Sequence, residues 1–140
     1  MTKVTILRSA FLLLCLSSTA MASDFIFSCK TESKKIISIK KDGNYVIYLY
    51  GKDIKNPEIK IRNEIKKIDI ELSKPTGYEI VTNIPIKNGA YTYSVFTNTD
   101  TLNEAHKSTS GVAVFKDEKY IFTIRCLTTK GNLLDIDSAG

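Results

Sequence analysis

Ile37-Ser38-Ile39-Lys40-Lys41-Asp42-Gly43-Asn44-Tyr45-Val46-Ile47-Tyr48-Leu49-Tyr50 is the stretch that decides the fold. Ile37 and Ile39 alternate with Ser38 and Lys40, the period-2 pattern of a half-buried strand. Asp42-Gly43-Asn44 follows as a hairpin turn, because glycine takes a positive φ without steric cost. Tyr45 to Tyr50 is aromatic and β-branched, so it reads as a second strand with both faces at least partly covered.

The same grammar continues on either side. Phe25, Phe27 and Cys29 alternate with Ile26 and Ser28. Ile59 and Ile61 alternate with Lys60 and Arg62, and Ile68, Ile70 and Leu72 with Asp69 and Glu71. Pro75-Thr76-Gly77 marks a turn before an extended run from Tyr78 to Lys87, in which Pro85 argues for an edge or a bulge. Asn88-Gly89 is a second hairpin signal. Ala90 to Phe96 follows, then Val112 to Phe115, the turn Lys116-Asp117-Glu118-Lys119 and Tyr120 to Cys126. In that last run Tyr120, Phe122, Ile124 and Cys126 share a face. No long segment carries a 3.6 period. The economical solution is an all-β fold, a small antiparallel β-barrel or sandwich of about eight strands closed by one disulfide.

Residues 1–22 stand apart from this pattern. Lys3 and Arg8 form a positive region, Ala10 to Leu16 a short apolar run, and Ala20-Met21-Ala22 an A-x-A cleavage site. This reads as a secretory signal peptide, with residues 23–140 as a single domain. Leu14 before Cys15 is too large for a lipobox. No other apolar stretch is long enough to span a bilayer, so an exported, periplasmic product without membrane insertion is expected.

Two cysteines remain beyond the leader, Cys29 and Cys126. An even pair in an exported chain is most simply a disulfide, and it falls on the first and last strands. The one histidine cannot complete a usual Cys/His metal set, and there is no C-x-x-C. Neither a metal nor another cofactor is expected.

The chain carries 20 Lys and Arg against 15 Asp and Glu. The balance is uneven: Lys30 to Lys67 holds eleven basic residues against five acidic, and Ile68 to Gly140 seven against nine. A basic face of this kind steers acidic partners; a solvated, edge-protecting surface is the competing account. Export argues against nucleic acid as the partner.

One connection breaks the rhythm of tight turns, the polar segment Thr97 to Ser110. Long connections in small domains are often functional. It holds His106, with Lys107, Ser108 and Ser110 beside it and Gly111 as an expected hinge. A hydrolytic triad needs a nucleophile fixed against the imidazole, and no G-x-S-x-G elbow exists, so contact rather than catalysis is expected. His106, Lys107, Ser108, Ser110 and Gly111 form the expected partner-binding set, and no catalytic residue is assigned.

A leader, a strand with Phe27-Ser28-Cys29, an all-β body and a last strand Tyr120-Ile121-Phe122-Thr123-Ile124-Arg125-Cys126 together resemble the bacterial periplasmic lysozyme inhibitors. Those families present an S-G-x-x-Y loop to a muramidase cleft; Ser110-Gly111 match it, and Val114 stands where the Tyr would be. The Lys/Ile/Asn-rich composition and two mature cysteines also look like the pesticin immunity protein family. The resemblance implies a non-enzymatic periplasmic protein that binds a muramidase bacteriocin and protects its producer. A general lysozyme inhibitor is the alternative. A fimbrial or adhesin-type subunit is a third reading, disfavoured because Asn132 to Asp137 alternates poorly as a donor strand.

Overall fold

The structure, a computed structural model, describes residues 23–72, 79–102 and 107–137. The expected leader, the expected turn at Pro75-Thr76-Gly77 and His106 lie outside the described residues. The strands are β1 (Asp24–Thr31), β2 (Ile36–Asp42), β3 (Tyr45–Gly51), β4 (Ile59–Glu64), β5 (Glu71–Leu72), β6 (Glu79–Asn88), β7 (Tyr91–Asp100), β8 (Ser108–Lys116) and β9 (Lys119–Gly131). They form one antiparallel sheet in the order β4-β3-β2-β1-β9-β8-β7-β6-β5. The fold is all-β, as expected; the strand beyond eight is the two-residue β5.

The sheet curls so that one face becomes an interior. Phe27, Ile39, Tyr48 and Ile61 are cross-strand partners running from β1 to β4. Ile84, Val95, Val112 and Ile124 do the same from β6 to β9. Seven of these eight side chains are buried and Ile124 is half-buried. Each fully buried aliphatic side chain contributes about 1.5–3 kcal/mol. Tyr48 and Tyr93 stack across the interior with centroids 5.5 Å apart, which joins the two rows. After β9, the short 3-10 turn Leu133–Ile136 buries Leu133 and Ile136 in the same core, and Asn132 caps it by accepting from Leu134 N at 3.0 Å.

β9 is the joint between the rows. Lys119 to Arg125 pair only with β8, whereas Cys126 to Gly131 pair only with β1. The changeover falls at Cys126, and Cys126 is the residue bonded to Cys29, 97 positions away in sequence. A cross-link closing a loop of that size stabilises by about 4–5 kcal/mol in the chain-entropy model. The disulfide therefore joins the first and last strands, as expected. The open seam lies elsewhere, between strands from mid-chain. There the Asn63 side chain of β4 bridges to β6, donating to Lys87 O at 2.9 Å and accepting from Lys87 N at 2.8 Å. Since Lys87 turns its backbone groups toward the seam, Pro85, two residues earlier on β6, faces the same way. Its missing N–H costs no ladder bond, which is the edge role expected of it.

Three expectations change in detail. Both ends of the polar segment Thr97 to Ser110 are strand: Thr97, Asn98 and Thr99 pair with Ser110, Thr109 and Ser108, and Asp100 N donates to Lys107 O at 3.1 Å. β7 ends at Asp100 and β8 begins at Ser108. Alternation reveals a strand only when one face is apolar, and this arm is polar on both. Gly111 is no hinge but a mid-strand residue of β8, opposite Phe96 and Arg125. A Cβ there would sit 2.3 Å from Ile124 O and 3.3 Å from the Phe96 ring, so close approach of β8 and β9 requires glycine. Finally, Tyr120 does not share a face with Phe122, Ile124 and Cys126. A bulge pairs Phe122 with Val114 but Tyr120 with Phe115, and the Tyr120 hydroxyl meets Thr123 Oγ1 at 3.0 Å on the outer face. Tyr120 and Phe122 are 61% and 48% exposed.

Candidate functional site

The β7–β8 arm carries the described members of the expected contact set. Lys107 is exposed just before β8, with its backbone carbonyl tied to Asp100. Leu102 N donates to Asp100 Oδ1 at 2.9 Å, which fixes the chain as it leaves β7. Ser108 is exposed at the start of β8, and Ser110 is only 8% exposed, on the interior row with Val112. His106 lies outside the described residues.

Ser108 and Ser110 line a common depression of about 290 Å³ with Phe96, Thr109, Thr123 and Arg125. By strand alternation Thr109, Thr123 and Arg125 share the outer face there, whereas Ser108 and Ser110 fall on the interior side of β8. Arg125 is absent from the expected set. It arrives from the last strand because it pairs with Gly111; a register counted back from the Lys116–Lys119 turn sets Ile124 there instead, because a bulge between Val114 and Phe115 shifts the pairing by one. Guanidinium and hydroxyl groups together suit a planar carboxylate: Arg offers a forked pair of N–H donors, and the hydroxyls satisfy the remaining lone pairs. Among the described residues no carboxylate lies within ion-pair distance of Arg125 or Lys107.

The basic stretch Lys30–Lys67 does not form one face. Lys35 bonds Glu58 at 3.0 Å and lies 5.2 Å from the Tyr50 ring centre. That hydrogen bond holds its ammonium pKa above the ordinary value despite some desolvation. Arg62 stacks on Tyr45 at 3.7 Å and reaches Asp42 at 3.9 Å, and Lys67 pairs with Glu64 at 3.2 Å. Lys30, Lys34 and Lys52 gather in a separate cleft, joined by Lys130 from β9.

Among the described residues no three His, Cys, Asp or Glu side chains group as metal ligands, and no helix is long and apolar enough to cross a membrane. In comparison with known proteins the chain matches no family model, no curated protein and no solved structure. The functional reading therefore rests on the residues and their geometry.

Proposed function

We propose that this chain is an exported, non-enzymatic immunity protein that binds a muramidase bacteriocin and blocks its cleft with the β7–β8 arm. The observation that carries the reading is the depression that Arg125, Thr109 and Thr123 line from the outer face, with Ser108 and Ser110 also lining it and Lys107 exposed next to Ser108 in sequence. Muramidase clefts hold catalytic carboxylates and are electronegative. Cationic donors are drawn to such a cleft over several ångströms, and each contact strengthens as water leaves. The fold supplies what an inhibitor needs: a rigid sheet, a covalent cross-link and a projecting hairpin whose ends are held by backbone hydrogen bonds.

The test is inhibition and affinity of the mature protein against a panel of secreted muramidases, bacteriocins included. Arg125→Glu and Lys107→Glu should each weaken binding by at least about tenfold, roughly 1.4 kcal/mol. Inhibition of one bacteriocin alone marks an immunity protein; inhibition across the panel marks a general lysozyme inhibitor. The arm model fails if both variants bind normally while a Lys34/Lys35/Lys40/Lys41 charge-reversal set does not. The fimbrial reading requires a free donor strand, whereas Leu133 and Ile136 are buried in this chain's own core.

A further inference from the structure

The outer face of the β1–β9 pair holds a second cleft, of about 420 Å³, and its lining is of one charge sign. Lys30 of β1, Lys34 of the β1–β2 turn, Lys52 after β3 and Lys130 of β9 converge on it, with Ser28 and Thr128 between them. The strand register builds the pattern: Ser28 sits opposite Lys130 and Lys30 opposite Thr128, so ammonium and hydroxyl alternate on the surface. No Asp or Glu lines the cleft. Asp53, next to Lys52 in sequence, is occupied elsewhere: it accepts from Lys55 N at 2.9 Å and from Asn56 Nδ2 at 3.2 Å. Glu58 is taken by Lys35. None of the four cleft lysines has a carboxylate within ion-pair distance among the described residues.

The cleft is also held in shape. Thr31 is buried; its Oγ1 accepts from Lys35 N at 3.1 Å and donates to Lys35 O at 3.0 Å, and its carbonyl accepts from Lys34 N at 3.0 Å. This turn presents Lys34, and the Cys29–Cys126 bond beneath it pins β1 to β9. Like charges on neighbouring strands repel and destabilise a sheet. Four uncompensated ammoniums around one hollow are a cost that a bound polyanion removes. Lysine is a compact point charge with rotatable donors, which suits the tetrahedral oxygens of a phosphate.

We infer that this cleft binds a phosphate-bearing anion, seated between Lys30, Lys34, Lys52 and Lys130 with Ser28 and Thr128 hydroxyls donating to its oxygens. The site is independent of the proposed arm: none of its cations belongs to the arm. The phosphate has two possible sources, a small soluble phosphate or a phospholipid headgroup.

The experiment titrates pyrophosphate into the mature protein at low salt, following amide shifts and thermal stability. It is repeated with Lys30→Gln/Lys130→Gln, and with Lys66→Gln/Lys67→Gln as a control of equal charge change. Sedimentation with phosphatidylglycerol vesicles, against phosphatidylcholine alone, tests the headgroup source. Saturable pyrophosphate binding weakened at least about tenfold in the cleft variant and unchanged in the control establishes a soluble-phosphate site. Vesicle binding that needs phosphatidylglycerol and is lost in the cleft variant only establishes a headgroup site. The ligand-free cleft variant should also be at least as heat-stable as the parent, because repulsion is relieved. Failure of both ligands to bind, or equal loss in cleft and control variants, overturns the inference.

Discussion

β3 and β9 read almost alike, Tyr-Val-Ile-Tyr-Leu-Tyr against Tyr-Ile-Phe-Thr-Ile-Arg-Cys, yet they live in different surroundings. β3 has β2 on one side along its whole length and β4 on the other along all but its last residue. Val46, Tyr48, Leu49 and Gly51 are buried, on both faces. β9 is nearly twice as long and has no buried residue, because its two neighbours meet end to end rather than overlapping. Flanking strands, not the side chains themselves, decide whether an aromatic run becomes core. A strand that joins the two halves of one sheet keeps a free edge along each of its own halves.

The sharpest way to break this contrast is to truncate one aromatic from each strand. Tyr48→Ala should cost about 3–5 kcal/mol, the range for large buried aromatics. Phe122→Ala should cost less than about 1.5 kcal/mol, since half of that side chain already faces water. Urea denaturation of both variants decides; equal losses would mean that β9 is packed as tightly as β3.

Gly111→Ala probes a place where β9 is crowded against β8. Its methyl group would press on Ile124 O, so a loss of about 1–3 kcal/mol is expected, again by denaturation. An unchanged midpoint would show that β8 and β9 separate easily.

Tyr48 offers a pH test. Its hydroxyl has no hydrogen-bond partner among the described residues, and burial, with smaller contributions from Tyr50 and Tyr93, pushes its pKa well above the ordinary 10.0. A raised folded-state value means that the native protein holds the proton more tightly than the unfolded chain. The stability is therefore complete below about pH 10 and falls as pH rises beyond it. Tyr48→Phe should flatten that alkaline decline and raise stability at neutral pH by up to about 1–2 kcal/mol, because an unsatisfied hydroxyl is removed. A steeper alkaline decline in the Phe variant would refute this.

The smallest effect concerns the hairpin that launches β9. Asp117 and Glu118 both have positive φ, 49° and 64°. Glu118→Gly should stabilise by about 0.5–1 kcal/mol, measured as a raised melting temperature, since glycine adopts this conformation without strain. A lower melting temperature would mean that Glu118 makes contacts worth more than its strain.

Much of the fold is legible in local chemistry. Asp42-Gly43-Asn44 and Asn88-Gly89 place hairpins, Pro85 marks the seam side of β6, and Cys29 and Cys126 meet. Less was legible where neighbours matter. Thr97 to Asp100 and Ser108 to Ser110 form a ladder with no apolar face to betray it. Exposure of Phe122 follows from where β1 stops, and that of Tyr120 from the bulge that turns it to the outer face. For the candidate site, Lys107, Ser108 and Ser110 could be read from one segment, whereas Arg125 enters through strand pairing. Lys130 likewise joins Lys30 only once the ends of the chain meet.

β9 has one further consequence, for biosynthesis. A chain made from its N-terminus completes the β1–β4 meander, then β5 to β8, before the joining strand exists. Until then the two units have no ladder between them and the Cys29 thiol has no partner. Contacts spanning nearly the whole chain form last and slowly. A product stopped short of Lys119 would keep both meanders and lose the joint, exposing Tyr48, Val95 and Val112 to proteases. Covalent closure at Cys29 and Cys126 thus marks a chain that has been made as far as its joining strand.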